Sequence, residues 1–213
     1  MKIELNAAQV KDCIEQVGIG FMFAPMFHPS MKFAAAPRRE LGVRTVFNIL
    51  GPLTNPALAD FQVLGVPSPE LGEKMVQVLR QLGSNRAIVV HGLNGMDEIT
   101  VAGKSRVWEL SDGGITQYDV SPEDFELAEA PVETLVGGTS EENASIMRSV
   151  LEGEKSPRRD AVVMNAAAGI ALINSAKGIP ALKEGAQIAV ETIDSGKALD
   201  KLEKLISLSR SYG

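Results

Sequence analysis

A chain of 213 residues with 45% hydrophobic and 23% charged side chains can bury one good core and has the balance of an ordinary globular protein. A formal net charge of −6 argues against a general nucleic-acid binder, and 5% aromatic content leaves few platforms for stacking bases. One cysteine, Cys13, excludes an intrachain disulfide, and two histidines exclude a histidine-rich metal site. Neither a charged-then-apolar leader pattern nor a membrane-length apolar run is visible, so the cytoplasm is the expected compartment.

Residues 6–17 read as a helix: Asn6 can cap it, Val10, Cys13, Ile14 and Val17 share a face, and Gly18 stops it. Cys13 falls on that apolar face and is expected to be a small buried residue rather than a nucleophile. The apolar run 20–24 ends at Pro25 and suggests a strand or turn edge. Residues 29–41 can be helical, with Pro37 breaking or kinking them. Residues 45–50 are apolar, and Gly51-Pro52 and Asn55-Pro56 then force irregular backbone.

From residue 61 strand and helix alternate. Residues 61–66 are β-like. Residues 69–82 are helical, with Ser68 as cap and Gly83 as stop, and 86–91 form a buried-type strand. That order predicts a parallel sheet. Shorter strands are expected at 98–101, 106–110 and 115–120, with turns at Gly103 and Asp112-Gly113-Gly114. The remainder is helical. A helix over 140–151 is capped by Thr139 or Ser140, with Glu141 and Glu142 in its first turn. A second opens at Ser156-Pro157, and its run Ala166-Ala167-Ala168-Gly169 permits close packing. Helices over 182–193 and 197–209 complete the chain. No linker or repeat interrupts it, so residues 1–213 read as a single α/β domain.

Three places could carry chemistry. From His28-Pro29-Ser30-Met31-Lys32 through Arg38-Arg39 and Arg44 to Asn55-Pro56, cationic side chains accompany Phe21, Phe23, Met26, Phe27 and Phe33. Guanidinium beside an apolar wall suits a small aromatic carboxylate, although a basic face over a core has the same composition. Gly92-Leu93-Asn94-Gly95-Met96-Asp97-Glu98 comes after a buried strand, and loops at that end of a parallel sheet are where ligands bind. Asp97 and Glu98 there could hold Mg2+, which takes a few hard oxygens and shares its shell with water and phosphate; a solvated acidic turn is the alternative. Val136-Gly137-Gly138-Thr139-Ser140 reads as a helix-capping turn rather than an anion cradle, since it lacks the Walker lysine and G-x-G-x-x-G spacing. His91, at a strand end, is expected to be structural.

Taken together these residues resemble the anthranilate phosphoribosyltransferase family. The resemblance rests on Gly20 to Pro25, on His28-Pro29-Ser30-Met31-Lys32, and on Arg38-Arg39-Glu40-Leu41-Gly42 to Asn55-Pro56. Gly95-Met96-Asp97-Glu98 and Asn165-Ala166-Ala167 come next in the family's order, so nearly the whole chain is covered. The resemblance implies a mostly parallel central sheet flanked by helices, of the nucleoside phosphorylase/phosphoribosyltransferase C-terminal domain type. It implies transfer of phosphoribosyl from phosphoribosyl pyrophosphate to the amine of anthranilate, in tryptophan biosynthesis. Asp97 and Glu98 would hold Mg2+, Arg38 would meet the anthranilate carboxylate, and Pro25, His28, Met31, Gly51 and Pro52 would line the acceptor's route. No general acid or base is implied. Nucleoside phosphorylases share the architecture but not the Arg38 block.

The chain departs from the family pattern at its start. The family carries an N-terminal helical region and a Gly-Thr-Gly-Gly-Asp loop around the diphosphate, and neither occurs in this sequence. The expectation is therefore a C-terminal portion with metal and acceptor half-sites, an incomplete donor site and negligible turnover alone. The family's homodimer forms mainly through the absent region, so dimerisation of this chain is left open. No membrane or nucleic-acid partner is expected. The competing reading is a catalytically inactive binding paralogue of the same fold, one that could take nucleic acid through Arg38, Arg39 and Arg44. The net charge of −6 and the intact Asp97-Glu98 pair speak against it.

Overall fold

The computed structural model describes residues 1–28, 51, 53–174 and 176–213. Their contacts gather into two compact units, Met1–Leu58 with Lys197–Gly213, and Ala59–Gly196. No change in composition marks the division, because the first unit draws on segments far apart in sequence. The expected helix over 29–41 and the apolar run 45–50 lie outside the described residues, as do Met31, Arg38 and Pro52.

The first unit contains α1 (Ala7–Val17), the single turn α2 (Ala24–Phe27) and the terminal helix, here α7 (Lys197–Ser211). Asn6 and Gln9 form a reciprocal capping box at the start of α1, with bonds of 3.0 and 2.9 Å. Gly18 ends it at φ 89°, a left-handed turn that glycine takes without a Cβ penalty. Lys201 of α7 donates to the Val17 carbonyl, placing a cation at the negative end of α1. Leu5, Val10, Cys13, Val17 and Leu205 form the core, with Met22, Phe27, Leu208 and Tyr212 against it. Cys13 is fully buried, and burial pushes its thiol pKa up, so it is the small core residue its position predicts. The Tyr212 hydroxyl donates to Asp12; that bond pushes the phenol up to about 12 and pulls the carboxyl down.

Pro25 corrects a sequence expectation. The run 20–24 forms no strand, and Pro25 opens α2, where a missing N–H is one of the helix's unpaired donors anyway.

The second unit is built on a four-stranded sheet in the order β1 (Phe61–Gly65), β2 (Arg86–Gly92), β3 (Ser105–Ser111) and β4 (Gly114–Val120). Helix α3 (Pro69–Gln81) carries the crossover from β1 to β2, which pair in parallel from Phe61↔Arg86 to Gly65↔Val90. Pairing of β2 with β3 and of β3 with β4 is antiparallel, so the sheet is mixed where the family resemblance implies a mostly parallel one. For the β3–β4 pair the reason is local. Asp112 and Gly113, at φ 52° and 74°, make a two-residue turn of the type that matches strand twist and returns the chain antiparallel.

Strand β2 is buried from Ala87 to Gly92, as a strand covered on both faces must be. Helix α3 covers the Val89 and Trp108 face, where Gly72 lies so close to the indole that a Cβ would meet it at 2.2 Å. Helix α5 (Pro157–Ile173) covers the other face and packs on α6 (Gly178–Asp194). A Cβ at Gly185 of α6 would lie 2.6 Å from the Ala167 carbonyl oxygen, so the small-residue run of α5 is indeed a close helix crossing. Helix α4 (Ser140–Leu151) buries only Val150.

On the α5 face, buried Glu109 accepts from the Tyr118 hydroxyl and the Gly178 N–H, both at 2.9 Å, and from Arg86 at 3.4 Å. Arg86 also donates to the carbonyls of Leu172, at 2.9 Å, Asn174 and Ala176, and so caps the end of α5. Burial, and then the Glu109 charge, push the Tyr118 phenol well up and keep it a donor.

Residues 98–101 form no strand. Ile99, Thr100 and Val101 are buried, but side chains take the place of a ladder: Asn165 bonds Ile99, and the Ser105 hydroxyl accepts from the Thr100 N–H at 2.9 Å.

Candidate functional site

The parallel strands β1 and β2 both end in glycine, and the Asp97-Glu98 loop folds over those ends. A Cβ on Gly65 would fall 1.6 Å from the Asp97 carbonyl oxygen, and one on Gly92 would lie 2.8 Å from Asn94 Oδ1 and 3.1 Å from the Glu98 carbonyl. Only glycine admits backbone that close. The loop closes on itself through Gly92 N–H to the Met96 carbonyl at 2.8 Å, with Gly95 at φ 98°. Asn94 Nδ2 donates to Thr100 Oγ1 at 3.1 Å, and that hydroxyl accepts from the Ala102 N–H at 3.0 Å. Beyond the carboxylates, Asn165 of α5 bonds both backbone groups of Ile99: Oδ1 accepts from its N–H and Nδ2 donates to its carbonyl, each at 2.9 Å. Asp97 and Glu98 are thus consecutive exposed carboxylates on a loop anchored on each side.

Partial loss of water pushes the Glu98 carboxyl up, and the neighbouring Asp97 charge adds to that. A divalent cation would reverse both effects. Among the described residues no group of three or more His, Cys, Asp or Glu is placed to hold a metal. Two carboxylate oxygens with open sides fit Mg2+, which completes its shell with water and phosphate, and do not fit a closed zinc cage. Glu98 also borders a groove of about 440 Å³ between α4 and α5, walled by Met96, Met147, Val150, Val162 and Arg158. Arg158 donates to the Val136 carbonyl at 2.9 Å.

The acceptor-side residues are divided. Pro25 and His28 sit at either end of α2 in the first unit, Pro25 exposed and His28 half-buried, with the His28 N–H donating to the Ala24 carbonyl at 2.9 Å. Gly51 accepts from the Thr54 N–H at 3.2 Å. Arg38, Met31 and Pro52 lie outside the described residues. His91 is buried, and Nδ1 donates to the Val66 carbonyl at 2.9 Å, a bond that ties β2 to the end of β1. The turn before α4 is a cap: the Thr139 and Glu142 side chains take each other's backbone N–H, and Asn143 Oδ1 takes the Gly138 N–H at 2.9 Å. The Glu142 carboxylate, its pKa lowered by the Thr139 amide, fills the place an anion would need.

Sequence reasoning misses Gly65 and leaves Asn165 without a role. Both leave a trace. A glycine closing an apolar strand signals close backbone approach, and an asparagine inside a helix of alanines is unfavourable there unless its amide has work elsewhere.

The chain is 53% identical over 213 residues to anthranilate phosphoribosyltransferase of Dehalococcoides mccartyi, a match that spans 99% of this chain and 62% of that protein. The crystal structure of the Thermus thermophilus anthranilate phosphoribosyltransferase superposes with a TM-score of 0.86 at 47% identity, covering 95% of this chain and 59% of that one. The Saccharomyces cerevisiae enzyme in complex with PRPP and Mg superposes at 0.91 with 30% identity, over 99% and 60%. It has also been solved with 4-fluoroanthranilate. The chain therefore spans about three fifths of the length of these relatives. Residues 1–199 match the family described as glycosyl transferase family, a/b domain, and with its mixed sheet and glycine-closed carboxylate loop the chain belongs to that family.

Proposed function

We propose that this chain carries the metal and acceptor side of an anthranilate phosphoribosyltransferase of tryptophan biosynthesis. The observation that carries the reading is the Asp97-Glu98 pair, held beyond the parallel strands by Gly65 and Asn165. It is supported by 53% identity to a relative of that name. In the reaction the anthranilate amine bonds to C1 of phosphoribosyl pyrophosphate, the C1–O bond breaks, and its electron pair leaves with the diphosphate. The amine then loses a proton to solvent. An aryl amine needs no base before it attacks, so the barrier lies in C1–O cleavage, and catalysis is positioning and charge stabilisation. Bound Mg2+ would supply positive charge to the leaving diphosphate. Asp97 and Glu98 would hold it, and Arg38 would fix the anthranilate carboxylate, with Pro25, His28, Met31, Gly51 and Pro52 along the acceptor's path. No single helix among the described residues is long and apolar enough to cross a membrane, and we place the enzyme in the cytoplasm.

Because the chain spans about three fifths of its relatives, the full reaction is proposed for these 213 residues joined to a donor-side segment. The test monitors anthranilate fluorescence with phosphoribosyl pyrophosphate and Mg2+, using the chain alone and the chain fused to the N-terminal segment of the Dehalococcoides relative. Turnover by the fusion and not by the chain is expected. Strong turnover by the chain alone overturns the incomplete donor site, and a folded but inert fusion overturns the function. In the fusion, Asp97→Asn with Glu98→Gln should abolish the Mg2+ response. Arg38→Ala should raise the KM for anthranilate about tenfold or more, as expected for losing a charge-assisted bidentate contact. An unchanged KM removes Arg38 from that role.

A further inference from the structure

Asn165 stands 66 residues beyond Ile99 in sequence, yet its carboxamide makes all its bonds to backbone. It accepts from the Ile99 N–H and donates to the Ile99 and Ala161 carbonyls, each at 2.9 Å. Bonding both groups of one residue reproduces what a neighbouring β-strand would do, at the point where the expected strand 98–101 has no ladder. Ile99 is 1% exposed, so neither of its backbone groups can turn to water instead. Its Cα is one residue from that of Glu98. On the other side, the Asp97 carbonyl is pressed into the space left by the missing Cβ of Gly65. These two points bracket Glu98, with Asp97 immediately before the first, and at the Asn165 end the anchor is a side chain. Aspartate lacks the donor, leucine of the same shape lacks both groups, and glutamine is one methylene too long.

We propose that Asn165 is a positioning residue, the strut that fixes the backbone carrying Asp97 and Glu98, the pair read as the divalent-cation site. The proposal rests on the reading that this pair binds the metal, and it adds that the metal affinity is set from α5. Loss of the carboxamide leaves the carboxylates in place chemically but frees their backbone, so affinity falls while the fold persists.

The test uses the full chain and Mn2+ alone as probe, with free Mn2+ read by electron paramagnetic resonance, beside native-state hydrogen exchange of the Ile99 amide. Asn165→Leu is expected to weaken Mn2+ binding about tenfold or more and to accelerate Ile99 exchange by a similar factor. Glu109→Gln, which loosens the sheet away from the loop, should change neither beyond its effect on the melting temperature. If Asn165→Leu binds Mn2+ as the parent does while Asp97→Asn with Glu98→Gln does not, the positioning role is overturned and the metal site stands. If the parent and the double carboxylate variant bind Mn2+ equally, the metal site itself is overturned, and the strut has nothing to position.

Discussion

Gly65→Ala is expected to displace the Asp97-Glu98 loop and to destabilise the second unit by about 3 kcal/mol, the upper range for forcing extra volume into a packed site. The added carbon falls 1.6 Å from the Asp97 carbonyl oxygen, and the obstacle is backbone rather than the end of a flexible side chain. The strand cannot yield easily, because Gly65 is fixed in register against Val90 of a strand that is buried along its length. The loop therefore moves, and it carries both carboxylates with it. Thermal unfolding should fall by roughly 6–12 °C for a domain of this size, and Mn2+ binding should be lost together with it. Unchanged melting and unchanged metal affinity in Gly65→Ala would show that the loop does not sit over the end of β1.

Glu109→Ala should cost about 3 kcal/mol, the scale measured when one partner of a buried pair is removed. The carboxylate satisfies Tyr118, the Gly178 N–H and Arg86 together. Its loss leaves the Arg86 guanidinium, 13% exposed, with carbonyl oxygens but without a counter-charge. Glu109→Gln keeps the shape and one acceptor oxygen and should cost nearer to about 1 kcal/mol. Urea unfolding of Glu109→Ala, Arg86→Ala and the double variant gives the coupling directly. A coupling near zero would mean that the two residues stabilise the fold independently. The local consequence is separate from the global one: the Gly178 amide, at the start of α6, should exchange faster in Glu109→Ala than in the parent.

Helix starts are legible in this sequence because capping is local. Asn6, Ser68, Thr139 and Ser156 each bond an N–H three residues on, so residue type and spacing suffice to find them. The hairpin at Asp112-Gly113 is legible for the same reason. The carboxylate pair is visible too, since two acids after a buried strand need no partner to be noticed. What supports the pair is not visible. Gly65 meets Asp97 and Asn165 meets Ile99 across long stretches of chain, and no local pattern predicts which distant backbone a small residue will touch. The same blindness produces the expected strand at 98–101. Buried apolar residues alone do not reveal whether a ladder or a side chain satisfies their amides. Pro25 is misread because a proline ends a strand and begins a helix equally well.

Part of the core that the apolar face of α1 joins is made much later than α1 itself. Val10, Cys13 and Val17 pack with Leu205 of α7, and the α1 terminus is held by Lys201. At usual translation rates the ribosome needs roughly ten to forty seconds to travel from one helix to the other. The second unit, Ala59–Gly196, is contiguous and can fold in that interval. The contacts of α1 with Leu205 and Lys201 form only after α7 has emerged. Completion of the first unit therefore waits on α7, and slow codons in the segment for Lys197–Gly213 should lower the yield of soluble protein more than the same codons within 59–196.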